Sequence, residues 1–266
     1  SATQLFISRY FGNETFAEFS NGFMELPLVG MILGSISAVL LPVFSGMDKG
    51  NGMSNETLVV WNSALLKSAK LIFPMLIFSV FFAEPIMTCM YGDIYAQSSI
   101  YFVIKNLSGL FYIIPFYPII LAIGKTNSYA NAHMIAAFMI VIAEYVVCKT
   151  FDSAVYVAIT SELCNLVKIW LLLRVIANYA HMKITELLPP KPMTILIMIS
   201  ALASLPPFLL LDFLNMNKFI VLFVCLGFFL VDYYVLCWIC KVTYRDIAGG
   251  FLKNKSRLNA VVKILP

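Results

Sequence analysis

Apolar residues run in long stretches broken by short polar segments, and that rhythm predicts helices that cross a membrane. A bilayer core takes roughly 20 apolar residues in a helix. Seven such runs are read, at about 16–46, 62–91, 97–123, 128–149, 153–180, 192–213 and 218–245. The opening SATQLFISRYF is too short to span and reads as the outer end of a helix, with GNET as the turn after it. The expected fold is therefore all-α, a polytopic transmembrane helix bundle of about seven full spans plus an N-terminal helix stub. Residues 1–180 would form one bundle from the partial helix and five spans, 192–245 an additional pair, and 246–266 a basic tail. The chain starts at Ser1 with no basic segment leading into an apolar one, and reads as the later part of a longer protein. Gly30, Gly34 and Ala38, spaced by four, would permit close helix contact.

Composition agrees with this picture. Of 266 residues, 61% are hydrophobic and 12% charged, where an ordinary soluble domain carries about 25% charged. The mean hydropathy is +0.89. So few charges cannot clothe the surface of a soluble globule. The six cysteines all lie in or beside apolar runs, where free cysteine behaves as a small hydrophobe. Cys237 and Cys240 have CxxC spacing, but nothing near them supplies further soft ligands, so no metal site is expected. No phosphate loop or nucleophile with its base is evident, and no basic-aromatic stripe suggests nucleic acid. The chain is not read as an enzyme, and no cofactor is expected.

Basic residues indicate orientation. With alternating loops, Lys49, Lys67, Lys70, Lys125, Arg174, Lys183, Lys191, Lys241, Arg245, Lys253, Lys255, Arg257 and Lys263 fall on or near one side, against Arg9, Lys149 and Lys218 on the other. Cytoplasmic loops are enriched in such residues, which predicts a cytoplasmic C-terminus.

Charge inside the hydrocarbon layer is costly and marks interior contacts or function. Glu25, Glu84, Lys105, Glu144, Glu162, Lys168 and Asp232 all fall within the expected spans. At 1.5 Å per residue, Glu25 and Lys105 lie roughly 13 and 12 Å below the outer end of their helices, so they are expected to pair. Glu162 and Lys168 are six positions apart, on different faces of one helix, and should not simply neutralise each other. Lys168 falls near mid-membrane, Asp232 at comparable depth. Glu84 and Glu144 read as boundary residues, and Arg174 is placed to snorkel toward the cytoplasmic interface.

Three stretches in order resemble one family. These are FGNETFAEFSNGFMELPLVGMILGSISAVLLPVFSGMDKGN, then WNSALLKSAKLIFPMLIFSVFFAEPIMTCMYGDIYAQSSIYFVI, then the helix end ILAIGKTN. Together they are similar to the later half of polysaccharide-type flippases in the multidrug/oligosaccharidyl-lipid/polysaccharide (MOP) exporter superfamily. The resemblance implies the second lobe of a two-lobed transporter, with 192–213 and 218–245 as the added pair of the fourteen-helix branch. It implies alternating-access flipping of polyprenyl-pyrophosphate-linked oligosaccharide across the cell (inner) membrane, for surface polysaccharide such as lipopolysaccharide. Lys105, Lys168 and Arg174 would then bind the anionic substrate, and Glu25, Glu162 and Asp232 would position those cations or bind a coupling proton or Na+. The partners implied are the lipid-linked oligosaccharide, a first lobe preceding Ser1, membrane lipids and the polysaccharide polymerase machinery. Two other readings stay open: a cation-coupled multidrug exporter, in which a lumen carboxylate would dominate, and a non-transporting scaffold for glycan assembly, in which both lysines would pair internally.

Overall fold

The computed structural model describes residues 1–46, 52–211, 217–244 and 247. Apart from Ile247, the basic tail expected over 246–266 lies outside them, as do Lys49 and Arg245.

Among the described residues, six helices are long and apolar enough to cross a membrane: α2 (Pro27–Ser45), α3 (Asn55–Phe81), α7 (Thr126–Thr150), α8 (Ala154–Ala180), α10 (Pro190–Leu209) and α11 (Lys218–Ile239). The other helices described are α1 (Ala2–Gly22), α4 (Ala83–Tyr91), α5 (Ser98–Gly109), α6 (Phe116–Ala122) and α9 (Ile184–Leu187). The chain is an all-α, multi-pass membrane bundle.

Prolines explain where the expected spans are broken. A proline ring clashes with the carbonyl four residues back and has no N–H for it. Pro27, Pro85 and Pro118 thus disfavour helix through Phe23, Phe81 and Ile114. Accordingly α1 stops at Gly22 and α3 at Phe81, and residues 110–115 between α5 and α6 are not helical. Pro27 then serves as the first helical residue of α2, where a missing N–H costs nothing. The expected span 16–46 is therefore two pieces, and Glu25 sits in the link just before α2 rather than inside a helix. The expected span 97–123 is α5 and α6 around a break, and 62–91 divides at Phe82.

The N-terminal stub is helical and bends at Gly12, whose φ of 85° belongs to the region open to glycine. Ser1 caps α1, Ser54 caps α3 and Asn217 caps α11, each side chain accepting a backbone N–H of the first turn.

Within the bundle, α7 packs along α8, and α3 packs on α10, which in turn packs on α11. The main core gathers Trp61, Leu65, Ile72 and Phe73 of α3 against Ile113, Ile119, Ile176 and Leu196. The indole N–H of Trp61 donates to the carbonyl of Leu187 at 2.8 Å, tying α3 to α9. A second core, with Phe78, Phe82, Ala203, Cys225 and Phe229, joins α10 and α11 to α3 and α4. Three buried serines, Ser68, Ser200 and Ser204, each donate to the carbonyl four residues back in their own helix. Such small self-satisfied residues let helices approach closely in an apolar medium.

The outer surface is apolar. Phe138, Phe223 and Trp238 are each about 70% exposed, at 70%, 72% and 68%, which suits contact with lipid and not with water. The small face at Gly30 and Gly34 is open, since a Cβ at either would meet no atom within 4 Å. All six cysteines are free.

Candidate functional site

The charged residues converge beside the break between α5 and α6. Lys105, on α5, is mostly buried, and its ammonium lies 3.1 Å from Glu162 Oε1 of α8 and 3.2 Å from Glu25 Oε1. The expected Glu25–Lys105 contact is therefore present. Its geometry differs from the expectation: Glu25 reaches Lys105 from a non-helical link, and its side chain is 62% exposed.

Glu162 is the buried member, 4% exposed. A buried carboxylate is tolerated when its lone pairs are filled, and here they are. Oε1 accepts from Lys105, and Oε2 accepts from the Ser108 hydroxyl at 2.7 Å and the Tyr112 hydroxyl at 3.0 Å. Lys105, Ser108 and Tyr112 are spaced by three and four, as residues sharing one helix face are. Tyr112 itself lies just past the helix, in the break, and its ring sits under two cations. Lys105 Nζ is 5.2 Å from the ring centroid and Lys168 Nζ 6.0 Å, the range of a cation–π contact.

Lys168 completes the site from α8. It donates to Asn165 Oδ1 at 2.9 Å, one turn earlier, and among the described residues it forms no ion pair. Lys168 and Glu162 meet the same tyrosine without meeting each other, in keeping with their expected separation. The four charges sum to zero but are unevenly shared: two carboxylates flank Lys105 and none flanks Lys168.

Arg174 and Asp232 are not brought to this cluster. At 100° per residue Arg174 is a third of a turn from Lys168. Its guanidinium lies 5.4 Å from the Trp170 ring centroid, on the face bearing exposed Leu163 and Val167. Asp232 is on α11, which packs against α10 and α4, and it makes no hydrogen bond or ion pair among the described residues. Lys67 and Glu84 lie elsewhere again, each beside a separate surface hollow.

Glu144, expected near the outer boundary, is completely buried on α7. Thr3 of α1 donates to its Oε1 at 2.7 Å, and Ser161 of α8 lies 3.2 Å from Thr3 Oγ1. Its Oε2 has no hydrogen-bond partner among the described residues. The sequence reading also missed Ser108, Tyr112 and Asn165. The spacing from Lys105 was the signal for the first two, and the three-residue step from Asn165 to Lys168 for the third.

No group of three or more histidine, cysteine or acidic side chains able to hold a metal occurs among the described residues. The site has cations, hydroxyls and carboxylates but no nucleophile beside a base. Such groups can hold a polar or anionic ligand within an apolar bundle.

Comparison with known proteins bears on the fold. The family described as polysaccharide biosynthesis protein matches residues 1–100. No curated protein matches the chain. Among solved structures, the lipid II flippase MurJ in an inward closed conformation is similar with a TM-score of 0.61 at 18% identity, over 82% of this chain. The aligned region is 44% of that flippase, so the chain spans less than half its length. This chain therefore shares its all-α, multi-pass membrane fold with a part of that flippase.

Proposed function

We propose that the chain is the second lobe of a MOP-type transporter that flips polyprenyl-pyrophosphate-linked oligosaccharide across the cell membrane for surface polysaccharide synthesis. The observation that carries this reading is the pairing pattern around Tyr112. Within an apolar bundle, one buried lysine is held by two glutamates while its neighbour, Lys168, has only an amide partner. A half-buried ammonium with no carboxylate in contact offers an anion a place to shed water at reduced cost. The fold likeness supports the same reading.

In this mechanism the pyrophosphate meets Lys168 first. Glu25 is exposed and held only at its tip, so it can swing away and let the phosphate take its place on Lys105. Glu162 stays, because three donors fix it. When the phosphate leaves, Glu25 returns to Lys105. The exchange keeps Lys105 paired throughout, and the polyprenyl chain remains in lipid. The remaining parts are assigned as follows. Residues 97–123 form a seventh, broken crossing, 192–245 form the added pair, and the C-terminus is cytoplasmic. Arg174 serves nearer the cytoplasmic mouth. A coupling proton or Na+ would act at Glu25, Glu162 or Asp232, and buried Glu144 adds a fourth carboxylate to test. A first lobe faces the open small side of α2, and polymerase components are the further partners.

The test is mass spectrometry of polyprenyl-linked glycans in cells lacking the full-length gene. Accumulation on the cytoplasmic leaflet, relieved by the wild-type gene and not by the Lys168→Ala gene, supports the proposal. A lipid-linked pool of normal size and sidedness overturns it and favours drug efflux or a scaffold.

A further inference from the structure

A second polar site lies where α10 and α11 meet α3 and α4. Where α3 gives way to α4, and where α10 ends and α11 begins, the structure leaves a cavity of about 890 Å3. That volume is in the range of small-molecule sites, roughly 300–1,000 Å3. One wall is apolar, with Phe81 and Phe208 in edge-to-face contact at 5.7 Å. The rim is charged: Glu84 from α4, Asp93 from the turn after it, and Lys218 from the first turn of α11. Lys218 pairs with Asp93. Glu84 has no ion pair among the described residues.

The place of this cavity selects its ligand class. It opens where three long apolar elements end or begin, which in a crossing bundle is the level of lipid headgroups. Leu209 beside it is 67% exposed and Phe208 41%, so the apolar wall continues onto the lipid-facing surface. A soluble ligand would leave that wall unused. Among the described residues the rim holds two carboxylates and one ammonium. A zwitterionic headgroup matches it by exchange, its phosphate taking Lys218 and its ammonium lying between Asp93 and Glu84.

We propose that this cavity binds a phospholipid whose headgroup carries a primary ammonium, with the acyl chains lying along Phe81 and Phe208. A primary ammonium donates three hydrogen bonds in fixed directions, and Glu84, Asp93 and the nearby Ser99 hydroxyl supply three acceptors. A trimethylammonium has no N–H, and a glycerol headgroup has no cation. The bound lipid would wedge α10 and α11 against α4. The site is independent of what the transporter carries.

Native mass spectrometry of the delipidated full-length protein tests this. It is titrated with phosphatidylethanolamine, its N-methyl and N,N-dimethyl forms, phosphatidylcholine and phosphatidylglycerol, all with the same acyl chains. Binding should fall stepwise with methylation, at least fivefold from ethanolamine to choline. Phosphatidylglycerol should bind no better than phosphatidylcholine. Glu84→Gln should remove the preference, and because Glu84 is exposed this change should leave the fold intact. Equal binding of the five lipids, or an ethanolamine preference that survives Glu84→Gln, overturns the proposal. The methylation series needs no variant, so it decides the matter even if Glu84→Gln expresses poorly.

Discussion

Lys105 and Glu162 come from helices 57 positions apart and meet at 3.1 Å, with side chains 13% and 5% exposed. Removing one partner of a buried pair leaves the other uncompensated, at a cost on the order of 3 kcal/mol. Lys105→Ala should therefore lower the detergent melting temperature strongly, because it leaves buried Glu162 with hydroxyl donors only. Glu162→Ala should cost less, since Lys105 keeps Glu25 at 3.2 Å. Lys105→Ala combined with Glu162→Ala should cost less than the sum of the two single losses. Purely additive losses in that cycle would mean that the two residues are not coupled.

Glu144 makes a different prediction. Its carboxyl group is fully buried, with one oxygen bonded and the other without a partner. Glu144→Gln keeps the shape and an acceptor for Thr3 while removing an ionisable group from an apolar site. It should hold or raise thermal stability, by about 1 kcal/mol at most. Glu144→Ala should lower stability by leaving a cavity and an orphaned Thr3 hydroxyl. If both variants melt equally early, Glu144 has a charged partner that the Thr3 and Ser161 contacts do not reveal.

Gly22 tests the joint between α1 and α5. A Cβ built there would lie 2.1 Å from the Ser98 carbonyl oxygen, so backbone must move to admit it. Gly22→Ala should destabilise by about 1–3 kcal/mol and loosen the link that carries Glu25. Gly30→Ala is the control, because nothing lies within 4 Å of that position. Equal melting of the two variants would contradict the close packing of α1 on α5.

The sequence made much of this legible. Apolar run lengths located the long helices, and depth counting found the Glu25–Lys105 contact even though Glu25 proved to lie outside a helix. Charge spacing kept Glu162 and Lys168 apart correctly. Run length could not reveal the breaks at Phe82 and at 110–115, because the residues there are as apolar as their neighbours. The prolines that cause those breaks look the same as Pro74, which α3 absorbs. The contact of Glu144 was not legible for a different reason: its partner Thr3 lies 141 positions away. Arg174, expected to snorkel toward the cytoplasmic interface, is set apart from Lys168 by helix phase.

Lys168 carries the central claim, so the most direct measurement is flipping by the reconstituted full-length protein. A fluorescent polyprenyl-pyrophosphate glycan in proteoliposomes, quenched from outside, reports its movement between leaflets. Wild type should flip it, Lys168→Ala should be at least tenfold slower with an unchanged melting temperature, and Lys168→Arg should keep most of the rate. A Lys168→Ala protein that flips the lipid at the wild-type rate would contradict the account.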